Sequence, residues 1–171
     1  MNTSGNDVTV SLVDNANGKA MKFEYNVGSP NGYCGVNRTL SQRNVANYTG
    51  VSINLTGDNS GNSFTIQLRD KNNNYFEKQI TVNFSGEKTF EIPFEEFIAP
   101  SWQSESATLD TTGIVQVAFY AGNGGNTDTG AYIMMMYTST AKSRKPRAHT
   151  LSTRQAHLTA LLLQLYLQSS C

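Results

Sequence analysis

Between residues 8 and 120 the chain alternates apolar and polar positions with a period of two. That spacing turns successive side chains to opposite faces of a β-strand. Val8, Val10 and Leu12 alternate with polar neighbours, and Met21, Phe23, Tyr25 and Val27 alternate with Lys22, Glu24 and Asn26. The same holds for Val51, Ile53 and Leu55, for Phe64, Ile66 and Leu68, and for Ile80, Val82 and Phe84. Val115, Val117 and Phe119 are expected to face inward, opposite Gln116, Ala118 and Tyr120. Clusters of turn-forming residues at 15–18, 29–32, 57–62, 71–74 and 122–130 separate these runs. Short strands at such intervals, each with one apolar face, predict an all-β fold, an antiparallel β-sandwich in a single domain. No helical period of useful length precedes residue 148.

The end of the chain follows another pattern. Residues 1–140 carry the strand signal, whereas 141–171 begin with the basic run Lys142-Ser143-Arg144-Lys145-Pro146-Arg147 and continue into a leucine-rich stretch at 158–167. That stretch is too short to cross a bilayer. Ile133-Met134-Met135-Met136-Tyr137 must be encoded ATN-ATG-ATG-ATG-TAY. Read from the third base of the isoleucine codon, the same DNA permits Tyr-Asp-Asp-Val-Tyr, an alternating strand with paired aspartates. Three adjacent methionines have no evident purpose in a strand. The expectation is therefore a frameshift near residues 131–133, with 141–171 a non-native or out-of-frame tail outside the fold.

Charge narrows the choice of partner. Thirteen basic residues balance thirteen acidic ones, and residues 1–140 show no basic excess of the kind that nucleic acid or an anionic membrane surface requires. Neither partner is expected. Polarity comes instead from Asn, Gln, Ser and Thr, accompanied by many aromatic residues. Neutral hydrogen-bonding groups beside aromatic rings suit a neutral ligand rich in hydroxyls. Of the two cysteines, Cys34 falls in a predicted strand and Cys171 at the C-terminus. No disulfide between them is expected, and Cys34 reads as a small buried apolar residue. The start Met1-Asn2-Thr3 lacks a charged and apolar leader, a feature shared by any piece of a longer secreted protein.

Several segments together resemble a known family. They are Gly18-Lys19-Ala20-Met21-Lys22-Phe23-Glu24-Tyr25, Asn31-Gly32-Tyr33-Cys34-Gly35, the run 64–70 with Tyr75-Phe76, and Lys88-Thr89-Phe90-Glu91-Ile92-Pro93-Phe94 with Phe97. Leu109-Asp110 and Val117-Ala118-Phe119-Tyr120-Ala121 complete the set. Over roughly residues 8–137 the chain resembles carbohydrate-binding modules of the family 11 type. The resemblance implies a jelly-roll sandwich that binds plant cell-wall β-glycan chains, β-glucan foremost, in a concave cleft without catalysis. It further implies attachment to a glycoside hydrolase catalytic domain and an extracellular setting, in a protein secreted by a bacterium. Two departures stand out: the acidic-aromatic-acidic first strand is missing ahead of Thr3, and Met135 and its neighbours replace a terminal Asp-Asp pair. Such jelly rolls often hold a structural calcium with acids of this kind, since Ca²⁺ takes six to eight oxygen ligands. With both contributions altered, no cofactor is expected to be required and a fully occupied calcium site is not expected.

A pyranose offers apolar C–H patches on its faces and hydroxyls around its rim. Aromatic rings cover the patches, while amides, carboxylates and guanidinium groups bond the hydroxyls. Strand parity nominates the outward residues. Tyr33 opposes Cys34, Val36 and Leu40 and shares a face with Asn37; Tyr120 shares a face with Gln116. Gln67 and Arg69 oppose the Phe64 row, and Tyr75, Glu77 and Gln79 are expected to flank them across a tight hairpin. Trp102, the single tryptophan, lies in the 99–107 loop, where the resemblance places ligand contacts and where binding residues concentrate. Each has a plainer reading: Tyr75 as a solvent-facing hairpin ring, Trp102 as a pin for its loop, Arg69 and Glu77 as a weak cross-strand pair. Tyr25 is assigned to the core, and Asn123 and Asp128 to the turn.

The rival classes are a glycanase or polysaccharide lyase on a jelly roll, and a structural linker domain. A glycosidase needs two carboxylates across a cleft, but Glu95-Glu96 falls in a predicted turn where neighbours point apart. A lyase needs a base near the working pH, often His or Tyr, and both histidines, His149 and His157, lie in the tail. Phosphate loops, Cys/His metal spacings and nucleophile elbows are absent.

Overall fold

The computed structural model describes residues 6–15, 18–28, 31–103, 107–124 and 129–139, together with 169–170. Two five-stranded antiparallel sheets face one another. The first holds β1 (Asn6–Asn15), β2 (Gly18–Val27), β4 (Gly50–Asp58), β7 (Ser85–Pro93) and β9 (Thr129–Ser139) in the order β1-β2-β9-β4-β7. The second holds β3 (Tyr33–Arg43), β5 (Ser63–Asp70), β6 (Tyr75–Thr81), β8 (Ile114–Gly122) and β10 (Ser169–Ser170) in the order β10-β3-β8-β5-β6. This is the antiparallel sandwich expected from the alternation, in the jelly-roll form that the resemblance implies. Of the segment 141–171, only the two residues of β10 are described, paired to Val36 and Gly35; His149, His157 and Cys171 lie outside the described residues.

Alternation fixes what lies between the sheets. Phe23, Tyr25 and Tyr132 from one sheet meet Phe64 and Phe119 from the other, all buried. Phe64 stacks on Phe119 at 5.9 Å and meets Tyr132 edge-on at 5.4 Å. Each such ring contributes on the order of 2–3 kcal/mol by leaving water, so the stability lies between the sheets and the outward faces are free to vary. Tyr25 and Cys34 are buried as expected, and Cys34 is a free thiol.

Two expectations need correction. Val115 does not face inward: the register of β8 shifts between Gln116 and Ile114 against both neighbours, so Ile114 is buried and Val115 is only half-buried. A bulge adds one residue and resets parity beyond it. The methionines also have a packing role. Met134, Met135 and Met136 are all buried in β9, which pairs with β2 on one side and β4 on the other. Their unbranched thioethers adapt to irregular gaps.

Local chemistry sets the hairpin beneath the site. Asp70 is fully buried, and its Oδ1 accepts from the amides of Asn72 (2.9 Å) and Asn74 (3.0 Å), closing an Asx turn. Asn73 takes the left-handed conformation this turn needs, with φ 65°. The hairpin so fixed sets Tyr75 opposite Arg69. After β7, a short 3-10 turn at Phe94–Glu96 leads to Ile98, which exchanges backbone hydrogen bonds with Glu77 at 2.7 and 3.0 Å. The loop thereby runs along the edge of β6. Gln103 Oε1 accepts from the Tyr75 amide at 2.7 Å and holds its far end down.

Candidate functional site

The second sheet lines up its outward residues in four rows across β3, β8, β5 and β6. Tyr33, Gly122, Ser63 and Thr81 form the first row; Gly35, Tyr120, Thr65 and Gln79 form the second. Asn37, Ala118, Gln67 and Glu77 form the third, and Thr39, Gln116, Arg69 and Tyr75 the fourth. Ser63 to Arg69 spans about 20 Å at a strand rise of about 3.3 Å per residue. That length accommodates several consecutive sugar rings.

A groove of about 560 Å³ opens on this face. Tyr33, Gln67, Glu77, Gln79, Trp102 and Tyr120 line it, with Asn31, Gly32, Ser63, Thr65, Gly122 and Asn123. Six of the ten residues nominated from sequence therefore share one concavity. Arg69 and Tyr75 sit beyond its end: the Arg69 guanidinium lies 5.7 Å from the Tyr75 ring centre and Nη1 donates to its hydroxyl at 3.4 Å. Tyr75 meets Trp102 edge-on at 5.2 Å, which links them to the groove. Asn37 and Gln116 share the face but not the groove, the Gln116 amide donating to Asn37 Oδ1 at 2.9 Å. Arg69 and Glu77 do not pair with one another; Glu77 Oε1 instead accepts from Gln67 Nε2 at 2.6 Å.

Aromatic exposure distinguishes the groove. Tyr33 is 64% exposed and Trp102 63%. Tyr33 meets Tyr120 edge-on at 6.3 Å. Tyr120 lies across the β3 backbone at Gly35, where a β-carbon would collide with its ring. Sequence reasoning missed Gly35 as a site residue, although an isolated glycine inside a strand pattern signals close approach. It also missed Ser63 and Thr65, which parity places on the face. Burial chiefly raises the Tyr120 pKa above the ordinary value of 10, with the Glu77 charge adding to it. The phenol is neutral at ordinary pH and can donate as well as accept. Near Tyr75, Arg69 Nε and Gln103 Nε2 are buried donors with no hydrogen-bond partner among the described residues, a feature that calls for explanation in a native fold.

No described pair of carboxylates faces across the groove. Glu95 and Glu96 are on the 3-10 turn, and Glu96 pairs with Lys78 at 2.7 Å. Asn123, expected to serve only its turn, instead ties distant segments together, donating from Nδ2 to the Val27 carbonyl at 3.2 Å and from its backbone amide to the Gly32 carbonyl at 2.8 Å. Asp128 lies outside the described residues.

Comparison with known proteins gives the chain a lineage. Residues 2–132 match the carbohydrate binding domain of family 11. The chain belongs to that family. Family 11 domains bind carbohydrate and are not catalytic. The family 11 module of a cellulosomal cellulase from Clostridium thermocellum is similar in fold, at a TM-score of 0.64 and 24% identity over 80% of this chain and 84% of that one. A family 11 module from the same organism, solved in complex with a β-1,3-1,4-mixed-linked tetrasaccharide, also gives a TM-score of 0.64, at 23% identity over 80% and 85%. A mannan endo-1,4-β-mannosidase of Bifidobacterium adolescentis is 28% identical over 90 residues, which are 52% of this chain and 9% of that enzyme. The matched region thus spans a small part of the enzyme's length.

Met134, Met135 and Met136 are buried, and soft thioethers are poor ligands for a hard cation such as calcium. Asp58 spends its oxygens on the Tyr25 hydroxyl (2.8 Å) and the amides of Ser60 (3.0 Å) and Ala131 (3.1 Å). Among the described residues no three His, Cys, Asp or Glu side chains cluster as metal ligands.

Proposed function

We propose that this family 11 domain binds a single β-glucan chain along the groove of its second sheet and holds an attached glycoside hydrolase at that substrate, outside a bacterial cell. The supporting observation is the pairing of two mostly exposed rings, Tyr33 and Trp102, with amides between them. Large apolar surface left open on a soluble domain marks an interaction site. Tyr33, Tyr120 and Trp102 cover the sugar faces. Gln67, Gln79 and Glu77 bond the rim hydroxyls, Glu77 holding Gln67 in position. Tyr75, with Arg69 at its side, meets Trp102 edge-on, and Arg69 offers its own donors at the same end. Asn37 and Gln116 extend the polar floor.

The mixed-linkage tetrasaccharide held by the Clostridium module supports β-1,3-1,4-glucan as the ligand, and the cellulase and mannosidase relatives support attachment to a hydrolase. The mannosidase also favours β-mannan as the second reading. Binding requires no oppositely placed carboxylates, in keeping with a groove whose described lining carries Glu77 as its single carboxylate.

Calorimetry against β-1,3-1,4-glucan, xyloglucan, xylan and mannan tests this. Saturable binding to the mixed-linkage glucan, without release of reducing sugar, is expected. Covering about 50 Å² of each ring contributes ~1 kcal/mol, so Tyr33→Ala or Trp102→Ala should weaken binding several-fold at an unchanged thermal midpoint. Release of sugar, or indifference to both substitutions, would overturn the reading.

A further inference from the structure

A second concavity lies at the end of the sandwich away from Tyr33. It is a crevice of about 400 Å³ between the two sheets. Its walls come from the inward faces of both, including Leu40, Val51, Leu68, Ile114 and Val117, with Phe94 and Met136. Val45 and Tyr48, on the β3–β4 connection, border it. A single charged side chain, Arg43, belongs to the lining, and it is exposed. Its guanidinium makes no ion pair or hydrogen bond among the described residues. Asn44 and Thr138 supply the remaining polar groups of the lining apart from the two tyrosines.

Such a space suits water poorly, because a resident water needs two to four polar partners. Apolar cavities of about 150 Å³ already take up benzene, and this one is larger. Its size falls in the range of small-molecule sites, which join apolar walls to a few polar groups that fix orientation. We propose that the crevice binds a small monocarboxylate with an apolar body: an aryl or short alkyl group between the sheets, and the carboxylate on the Arg43 fork, whose geometry matches it. The β-glucan reading is independent of this site, since the two concavities share no lining residue.

The test uses the whole chain with ¹³C-labelled methyl groups, titrated with 3-phenylpropanoate, 3-phenylpropanamide and octanoate. Saturable shifts are expected at Leu40, Val45, Val51, Leu68, Ile114 and Val117, with Val8 and Val27 unmoved. The amide should bind more weakly than the acid. Arg43→Gln should weaken the acid about tenfold, as loss of a charge-assisted pair does, and leave the amide unchanged. Preference for octanoate over the aryl acid would support the site and assign an alkyl body. Methyl shifts that are absent at millimolar ligand or spread over the whole core would overturn the proposal, as would equal binding of acid and amide.

Discussion

The two outward faces of the sandwich arise from the same alternation and differ in what fills it. On the first sheet, polar side chains satisfy one another: the Ser52 hydroxyl donates to Glu91 (2.8 Å), Thr89 to Asn54 (2.9 Å), and Lys22 pairs with Glu24 (2.7 Å). On the second, Tyr33 and Tyr120 rise from the floor and the loop strapped to β6 raises Trp102 beside them. A satisfied polar face has little left to offer a ligand. An open aromatic face retains apolar area that only a partner can cover. Strand parity creates two outward surfaces, while ring placement and a walled edge single out one of them as the candidate site.

Removing the rings should break the contrast most strongly. Tyr33→Ala combined with Tyr120→Ala is expected to lower glucan affinity by about 30-fold or more, at ~1 kcal/mol or more per ring, as read by calorimetry. Thr89→Ala combined with Glu91→Ala, on the opposite sheet, should leave it unchanged; equal losses on both faces would erase the distinction. Next is Gly35→Ala, whose added methyl displaces the Tyr120 ring. Overpacking of this sort costs ~1–3 kcal/mol of stability, and affinity should drop roughly tenfold if the Tyr120 ring carries the expected contact.

Smaller effects sharpen the comparison. Tyr25, Tyr120, Tyr132 and Tyr137 all have pKa values raised above 10, burial being the largest cause in each. A raised folded-state value adds stability that is complete below pH 10 and is lost as pH climbs through the raised values. The thermal midpoint should therefore fall above pH 10, and Tyr132→Phe should flatten part of that fall. Ionic strength should have the least influence. A neutral glucan held by rings and amides loses no screened attraction, so affinity at low and high salt should agree, whereas a steep salt dependence would point to a charged ligand.

Much of this was legible from residue order. Inward positions such as Phe23, Phe64 and Phe119 and outward ones such as Tyr33, Gln67 and Tyr120 follow from period two, because a sheet with one buried face tolerates no slip of register. The hairpin bringing Tyr75, Glu77 and Gln79 beside Arg69 and Gln67 was readable from its turn residues. Val115 was misassigned because a bulge leaves no mark in a hydrophobic pattern. The division between groove lining and mere face-sharing, which separates Gln67 and Glu77 from Asn37 and Gln116, depends on which amide bonds which neighbour. Alternation does not encode that. Nor does it encode the course of the 94–103 loop, set by backbone bonds to Glu77 and the Gln103 contact to Tyr75.

A titration of ¹⁵N-labelled protein with a β-1,3-1,4-linked glucan oligosaccharide examines the groove most directly. Saturable shifts should appear at the side-chain amides of Gln67 and Gln79 and at the Trp102 indole, with the Asn54 amide on the opposite sheet silent. Shifts gathered at Asn54, or a groove that stays unmoved while the oligosaccharide binds, would contradict a ligand lying across the second sheet.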